Sequence, residues 1–407
     1  MTRRTGPRRG AAAALLTLGA LLGACGSPTA TPSPARASVT PTPGPTACPG
    51  SATKCASSPV ATVSPTPTAP PTTPTLTSTP TPIAGFRVAS VTFVSSEDGW
   101  VLGAVGGVLA MARTEDGGAT WTSANPPPTT FLSVAGGSGV DGVRFADPQD
   151  GWAYGSQLWA THDGGASWTQ VSLPGLSSGV GATPIQGLET AAGTVNAVYF
   201  GTGGFEIATS PVATNSWTVS ATTVAYGAGP VPASQLVIQG AAGWVVENDR
   251  TVVGGARLLS GVWSSWTPPC TTVGGPAVLA ASSSAELFAA CDQGIWSGGP
   301  IQERAYVSAD GGSSFTQLPA VLPSACNAVA SPSPSVAAAG CGPDLVATFT
   351  GGGSWGTVYS GGTNSYITYV GFTTTTQGVA INAASTTGPG TLLMTHDGGQ
   401  TWTVVAI

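Results

Sequence analysis

The octapeptide THDGGASW at 161–168 returns as THDGGQTW at 395–402, with only its sixth and seventh letters changed. Looser copies are TEDGGATW at 114–121 and SADGGSSF at 308–315. In such a stretch the short Asp side chain accepts hydrogen bonds from backbone N–H groups of its own turn. The two Gly supply the positive φ angles that a tight hairpin requires. The four copies therefore predict four turns of one kind, each between two β-strands.

The aromatic residue that closes each copy recurs with a regular period. Degenerate copies are TNSWT at 214–218, WSSWT at 263–267 and GGGSW at 351–355. Successive aromatics are 47, 49, 49, 49, 40 and 47 residues apart; they are Trp121, Trp168, Trp217, Trp266, Phe315, Trp355 and Trp402. Seven units of this length each have room for four short strands. The period predicts an all-β fold, a seven-bladed β-propeller of four-stranded blades over residues 85–407.

Several strands have consecutive apolar residues, as in VYF at 198–200 and LLM at 392–394. Such strands are buried on both faces, which a lone four-stranded sheet cannot achieve but radial stacking of blades can. A β-sandwich predicts clean alternation and no such period. A second marker, with a strand, a turn and the start of another strand, recurs as VTFVSSEDGW, VRFADPQDGW, AAGW and VGFTTTTQGVA. With 58 Gly and 35 Pro in the chain, long helices are disfavoured.

The four copies resemble the Asp-box, or bacterial neuraminidase repeat, Ser/Thr-x-Asp-x-Gly-x-Ser/Thr-Trp, with Phe315 replacing Trp in one copy. The resemblance implies that each box lies in the hairpin between the third and fourth strands of a blade, with its Trp wedged between blades. Four equivalent acids around a ring cannot all face one substrate. We therefore interpret these acids as structural; they are Asp116, Asp163, Asp310 and Asp397.

The motifs V-x-F, G-W and T-x-D-G-G-x-T-W recur in this order over 85–407. This repeated order resembles that of exported single-propeller proteins of the photosystem II assembly-factor and neuraminidase-repeat type. The resemblance implies the fold more strongly than a function. The photosynthetic members carry a basic patch for their partner. This chain departs from that pattern because it is acidic.

Residues 1–24 are predicted to be a lipoprotein signal peptide, with a basic start and the apolar run AAAALLTLGALLGA. The last three residues of this run and the next residue, Leu22-Gly23-Ala24-Cys25, resemble a lipobox. The resemblance implies that Cys25 is acylated and anchors the exported chain to the outer face of a bacterial membrane. The alternative is an ordinary signal peptide with a chance Cys. Residues 25–84 are rich in Pro, Thr and Ser, which predicts a disordered, semi-rigid tether.

Six further cysteines, an even number, fit an oxidising compartment. The predicted disulfides are Cys48 with Cys55, Cys270 with Cys291, and Cys326 with Cys341. Zinc binding is the alternative interpretation. No His lies near these cysteines and no C-x-x-C occurs, so no metal site is expected.

Charge excludes some partners. Removing the signal peptide deletes four Arg from 12 Lys+Arg and none of the 18 Asp+Glu, which leaves 8 against 18. Nucleic acid is not expected as a partner because phosphate binding needs a basic surface. A membrane contact is expected only through the lipid anchor.

Catalysis by a glycoside hydrolase would require arginine and carboxylate side chains to lie together in one active site. The resemblance to sialidases implies an Arg-Ile-Pro motif, three clamping Arg, a Tyr–Glu nucleophile pair and an acid/base Asp. The nearest match is FRVA at Arg87, and the spacing of the six arginines within 85–407 suggests no clamp; they are Arg87, Arg113, Arg144, Arg250, Arg257 and Arg304. Arg113 precedes a box and is interpreted as a solvated turn residue. Glucan hydrolases need two carboxylates across a cleft, but Asp98 and Asp150 occupy equivalent turn positions in adjacent blades.

His162 and His396 occupy the variable second box position and are interpreted as exposed turn residues. The sequence thus favours a monomeric, non-catalytic cell-envelope lipoprotein, without cofactor or metal, whose propeller binds a protein or glycan through the loops of one face. The alternative is an exported glycoside hydrolase, either sialidase-like or glucan-cleaving. Acids and arginines converging at the mouth of the central channel would favour the hydrolase. Nothing in the sequence specifies the ligand.

Overall fold

A computed structural model of the chain describes residues 81–133, 137–176, 185–201, 204–224, 233–271, 274–292, 303–386 and 388–407. All of them belong to one structural unit, Thr75–Ile407. The predicted signal peptide, almost all of the predicted tether, Cys25 and the Cys48/Cys55 pair lie outside the described residues.

The described residues form 28 strands in chain order, and each group of four makes one blade. Blades 1 and 2 contain β1 (Phe86–Phe93), β2 (Gly99–Val105), β3 (Val108–Thr114), β4 (Thr122–Ala124), β5 (Val140–Phe145), β6 (Gly151–Gly155), β7 (Leu158–Thr161) and β8 (Thr169–Val171). Blades 3 and 4 contain β9 (Ile185–Ala191), β10 (Thr194–Gly201), β11 (Gly204–Pro211), β12 (Thr218–Val224), β13 (Ala233–Gln239), β14 (Ala242–Asp249), β15 (Thr251–Leu259) and β16 (Val262–Trp266).

Blades 5 to 7 repeat the arrangement. They contain β17 (Ala277–Ala281), β18 (Leu287–Asp292), β19 (Glu303–Ser308), β20 (Thr316–Leu322), β21 (Cys326–Ser333), β22 (Val336–Cys341), β23 (Asp344–Thr348), β24 (Gly356–Ser360), β25 (Tyr366–Phe372), β26 (Gly378–Ala383), β27 (Gly390–Thr395) and β28 (Thr403–Val405). Consecutive strands of every blade pair antiparallel. The prediction of a seven-bladed propeller is confirmed.

The ring closes where blade 7 meets blade 1, and the first and last described strands belong to different blades. One bridge between Val88 and Gly390 joins the two blades into an eight-stranded sheet. The N–H of Ile83 donates to the carbonyl of Ile407 at 2.6 Å. Apart from this bridge, blades 7 and 1 are held together by side-chain packing and by the hydrogen bond between Ile83 and Ile407.

Apolar burial is concentrated between blades. The described residues contain seven buried clusters, and each cluster combines side chains of two neighbouring blades. In β2 every residue but the last is buried, so both faces of that strand are dry. Each large side chain buried in this way contributes roughly 1.5–3 kcal/mol. This burial explains why the strands lack alternation: every blade has two faces to cover.

The second sequence marker has a packing explanation. Its tryptophans, Trp100, Trp152 and Trp244, are fully buried against the following blade. Its Gly precedes the Trp because a Cβ at Gly151 would lie 2.5 Å from the ring of Phe145. The ring of the marker's Phe thus occupies the space that a side chain at the Gly position would need.

The box aromatics pack against the preceding blade, as Trp121 does in the cluster shared by blades 7 and 1. Blade 4 departs from this pattern. There Trp263 contacts the preceding blade, whereas Trp266, the residue that keeps the sequence period, packs towards blade 5 and donates from Nε1 to the carbonyl of Gly312 at 2.8 Å.

Candidate functional site

The four boxes, here called the box turns, connect the third and fourth strands of blades 1, 2, 5 and 7. In the box turn of blade 2, Asp163 accepts three hydrogen bonds: from the N–H of Ser167 at 2.8 Å, from the Ser167 hydroxyl at 2.5 Å and from the Thr161 hydroxyl at 2.7 Å. The same three bonds recur at the other box acids, Asp116, Asp310 and Asp397. Each carboxylate is thus used within its own turn.

These hydrogen bonds keep the box acids ionised. The hydroxyl and N–H of Ser167 lower the pKa of Asp163 to about 2. For Asp397, burial raises the pKa, but the hydroxyl and N–H of Thr401 outweigh it and lower the value to about 2. The pKa values of Asp116 and Asp310 are also lowered. Groups without a proton near neutral pH do not act as general acids.

Box turns share one face of the propeller with the turns between first and second strands. In each box turn the N–H of the first Gly donates to a carbonyl of that neighbouring turn, as Gly117 does to Glu97 at 2.9 Å and Gly311 to Ala285 at 2.7 Å. We call this side the box face. The opposite side, with the second-to-third strand turns and the connections between blades, is the loop face.

Two nitrogen-bearing side chains on the box face, Arg113 and His162, have partners that the sequence did not reveal. Arg113 lies 3.1 Å from Asp98, 3.2 Å from Glu115 and 4.9 Å from the centre of the Trp100 ring. Its side chain is 28% exposed, so the interpretation of a solvated turn residue is wrong.

His162 makes a comparable contact in blade 2. Its Nδ1 lies 2.5 Å from Asp150, and its Nε2 lies 3.1 Å from the amide nitrogen of Asn215 in blade 3. Asp98 and Asp150 thus occupy equivalent turns, as the spacing predicted, and each has a nitrogen partner within its own blade.

The central channel contains a cavity of about 790 Å³. It is lined mainly by the first strands of blades 2 to 7 and by neutral polar and backbone groups. Its charged lining, among the described residues, is Arg144 and Glu189, whose nearest atoms are 2.6 Å apart. Arg144 also donates to the carbonyls of Leu188 at 3.2 Å and Val91 at 3.2 Å. Its guanidinium thereby joins blades 1, 2 and 3 at the axis.

The electrostatics of the channel follow from this pairing. Burial disfavours the charged form of Arg144, but the Glu189 carboxylate outweighs burial and raises the pKa of the guanidinium. Burial raises the pKa of the lining Tyr154 to about 12 and that of the nearby Asp141 to about 6. One arginine that is already paired with Glu189 cannot clamp a substrate carboxylate, and the other five arginines of the described residues do not line this cavity. The convergence of acids and arginines that a hydrolase needs is therefore limited to one ion pair and Asp141.

Two buried glutamates lie towards the loop face, and sequence reasoning missed both. Glu247 accepts a hydrogen bond from the Ser234 hydroxyl at 2.7 Å, and Glu303 accepts one from the N–H of Cys326 at 3.4 Å. Both are almost fully buried, and burial raises the pKa of each to about 8. A usable signal was present at Glu247, which directly follows the apolar run Trp244–Val246. Glu303 begins its strand beside Arg304 and has no comparable signal.

The Cys270–Cys291 and Cys326–Cys341 disulfides are formed, which confirms these two predicted pairs. No group of three or more His, Cys, Asp or Glu side chains in the described part of the chain could hold a metal ion. Within the same residues, no helix has the length and apolarity needed to cross a membrane.

The chain matches no protein family model and no curated protein sequence. Solved structures do resemble it. A structure of YCF48 bound to D1 peptide aligns with a TM-score of 0.54 and 16% identity, covering 76% of this chain and 93% of that one. YCF48 from Cyanidioschyzon merolae aligns with a TM-score of 0.54 and 15% identity, covering 77% and 97%.

An enzyme also aligns. A prolyl endopeptidase structure has a TM-score of 0.52 and 11% identity, covering 79% of this chain and 49% of that one. At these identities the likeness shows the fold alone. It agrees with the sequence resemblance to photosystem II assembly factors at that level and does not separate binding from catalysis.

Proposed function

We propose that this chain is an exported, lipid-anchored, non-catalytic propeller that binds a polypeptide partner at the surface around its central channel. The observation that carries the proposal is the lining of the 790 Å³ cavity. Neutral polar side chains and backbone groups surround a single ion pair that is already satisfied internally. Such a lining suits hydrogen bonding to a polypeptide backbone better than it suits an ionic substrate.

The similar propeller YCF48 supports a polypeptide ligand, because one of its structures contains a D1 peptide. The identity of that peptide is not transferred to this chain. A net charge of −6 for the whole sequence favours a partner that is basic where it makes contact.

A glycoside hydrolase is the second candidate, and Asp141 is the observation that favours it. Its pKa, raised to about 6 by burial, has moved in the direction that suits a general acid. Glycosidases of the common kinds need a second carboxylate. The carboxylate that lines the cavity is Glu189, and it is bound to Arg144.

Two assays on the mature chain separate the candidates. Display of random peptides should yield sequences that bind the propeller, and chromogenic sialosides and β-glucans should remain uncleaved. Turnover that is lost in Asp141→Asn would replace the binding proposal with the hydrolase. Failure to select any peptide would also contradict the proposal.

The anchor is tested separately. Cys25→Ser should move the protein from the membrane fraction to the soluble exported fraction, because a diacylated Cys gives two-chain anchoring. Cys48→Ser is the matched control, since it removes a cysteine outside the lipobox. Membrane retention of Cys25→Ser would show that the chain is held by something other than this lipid.

A further inference from the structure

A small cavity of about 120 Å³ opens on the box face between blades 5 and 6. We call it the seam pocket. Its inner wall is apolar, with Leu287, Phe288, Val307, Val336 and Ala337. Of the part of the chain that the structure describes, one charged group lines it, the half-buried Glu286. The volume equals that of about four water molecules, enough for one side chain of a partner.

Glu286 occupies the same turn position in blade 5 as Asp98 does in blade 1 and Asp150 in blade 2. In all three turns the N–H of this acid donates to a side-chain oxygen three residues earlier, at 2.8 to 3.0 Å. The residue before each acid offers its carbonyl to the box turn of the same blade. The three acids are therefore equivalent by hydrogen bonding as well as by sequence.

The equivalent acids have nitrogen partners, whereas Glu286 has none among the described residues. Asp98 is paired with Arg113, and Asp150 contacts His162. The residues of blade 5 at the positions of Arg113 and His162 are Val307 and Ala309. Among the residues that the structure describes, no arginine or histidine pairs with Glu286.

Blade 1 shows what would complete this site. There the guanidinium of Arg113 lies between the Asp98 carboxylate and the face of the Trp100 ring, 4.9 Å from the ring centre. In blade 5 the corresponding carboxylate and ring belong to Glu286 and Phe288, and the seam pocket lies beside them. A guanidinium is the group that satisfies a carboxylate and stacks on an aromatic ring together.

We propose that the seam pocket binds an arginine side chain of the polypeptide partner, which takes the position that Arg113 has within blade 1. This inference rests on the proposed function and adds to it the binding face and the chemistry of the anchor. The seam pocket adjoins the channel, because Ser282 and Ser331 line both cavities. A polypeptide crossing the channel mouth on the box face therefore reaches Glu286 with one side chain.

The experiment selects random displayed peptides on the mature wild-type chain and measures the affinity of the enriched sequences. We expect enrichment of Arg. Replacing that Arg with Gln in the peptide, or making Glu286→Gln in the propeller, should weaken binding about tenfold, the cost of one charge-assisted hydrogen bond. Glu97→Gln is the matched control, since it removes the same charge from an exposed neighbour of Asp98 and should leave affinity unchanged.

A second variant tests the pocket by filling it. Val307→Arg restores the arrangement of blade 1 within blade 5, so it should abolish binding while the urea midpoint stays the same or rises. Val307→Arg that binds peptides as tightly as wild type would overturn the proposal. Enriched peptides without Arg would overturn this inference and leave the proposed function standing, whereas no enrichment at all would reject both.

Discussion

The contacts between blades 1 and 2 and those between blades 5 and 6 hold the same fold together by different means. The first interface buries large side chains, with Trp100 stacked on Phe145 at a ring distance of 4.0 Å. The second contains five buried alanines, the Cys326–Cys341 disulfide and the 120 Å³ seam pocket. Where small residues leave less apolar area to bury, a disulfide within blade 6, between β21 and β22, adds covalent stability, and space remains for a ligand.

The largest effect should come from the tightly packed interface. Trp100→Ala should lower the free energy of unfolding by about 3–5 kcal/mol, because a fully buried ring is lost and its neighbours refill the space only in part. Phe288→Ala is the matched change in the other interface. It should cost at least about 1 kcal/mol less, because this ring already borders the seam pocket and has fewer contacts to lose.

Urea unfolding of the two variants measures both values. Equal losses would mean that the two interfaces are packed equally well, and the contrast between them would disappear. Trp100→Leu provides a variant that keeps part of the apolar volume and should fall between wild type and Trp100→Ala.

The next effect concerns the covalent bond. Replacing Cys326 and Cys341 together with Ala should lower the free energy of unfolding by about 3 kcal/mol, because the disulfide closes a loop with a sequence separation of 15 residues. Hydrogen exchange should accelerate in β21–β24 more than in β1–β8. Uniform acceleration across all blades would show that the bond does not compensate for local packing.

The free energy of unfolding should depend on pH through a buried glutamate at the interface between blades 5 and 6. Folding raises the pKa of Glu303 from 4.5 to about 8, so the folded state holds a proton that the unfolded state releases. The stabilisation is complete below pH 4.5 and is lost as the pH rises through 8, with a slope of at most about 1.4 kcal/mol per pH unit for this group.

Glu303→Gln should flatten this dependence in urea unfolding measured between pH 5 and 8. An unaltered slope in Glu303→Gln would assign the pH dependence to other groups, of which Glu247 is the first to test.

The parts of this architecture that the sequence predicted are those written in local patterns. The box turns and the cysteine pairs each involve residues close in sequence, and the period is the repetition of such a local pattern. The Arg144 network was not predictable in this way, because Val91, Arg144 and Leu188 come from three blades and meet only at the axis. Glu286, which has no nitrogen partner among the described residues, was equally hidden, because its equivalence to Asp98 and Asp150 depends on the hydrogen bonds of its turn.

Blade 2 and blade 6 extend the comparison to single turns. Asp163→Ala should lower the urea midpoint of unfolding by a small but measurable amount, since it removes the acceptor of three hydrogen bonds within an exposed turn. Asp163→Asn keeps one carbonyl oxygen and should lose less. A change in peptide affinity at unchanged stability would contradict the interpretation that the box acid is structural.

The smallest effect should be a gain. Blade 6 has TFTGGGSW at 348–355, in which Thr350 takes the Asp position and accepts the N–H of Ser354 at 3.2 Å, longer than the 2.8 Å at Asp163. Thr350→Asp would complete the box and add a second acceptor oxygen for the Ser354 hydroxyl. We expect the free energy of unfolding to rise by about 0.5–1 kcal/mol. Thr350→Asn, with one acceptor oxygen, should give part of that gain, and a loss of stability in both variants would show that the turn of blade 6 is shaped by its Gly residues and not by the missing acid.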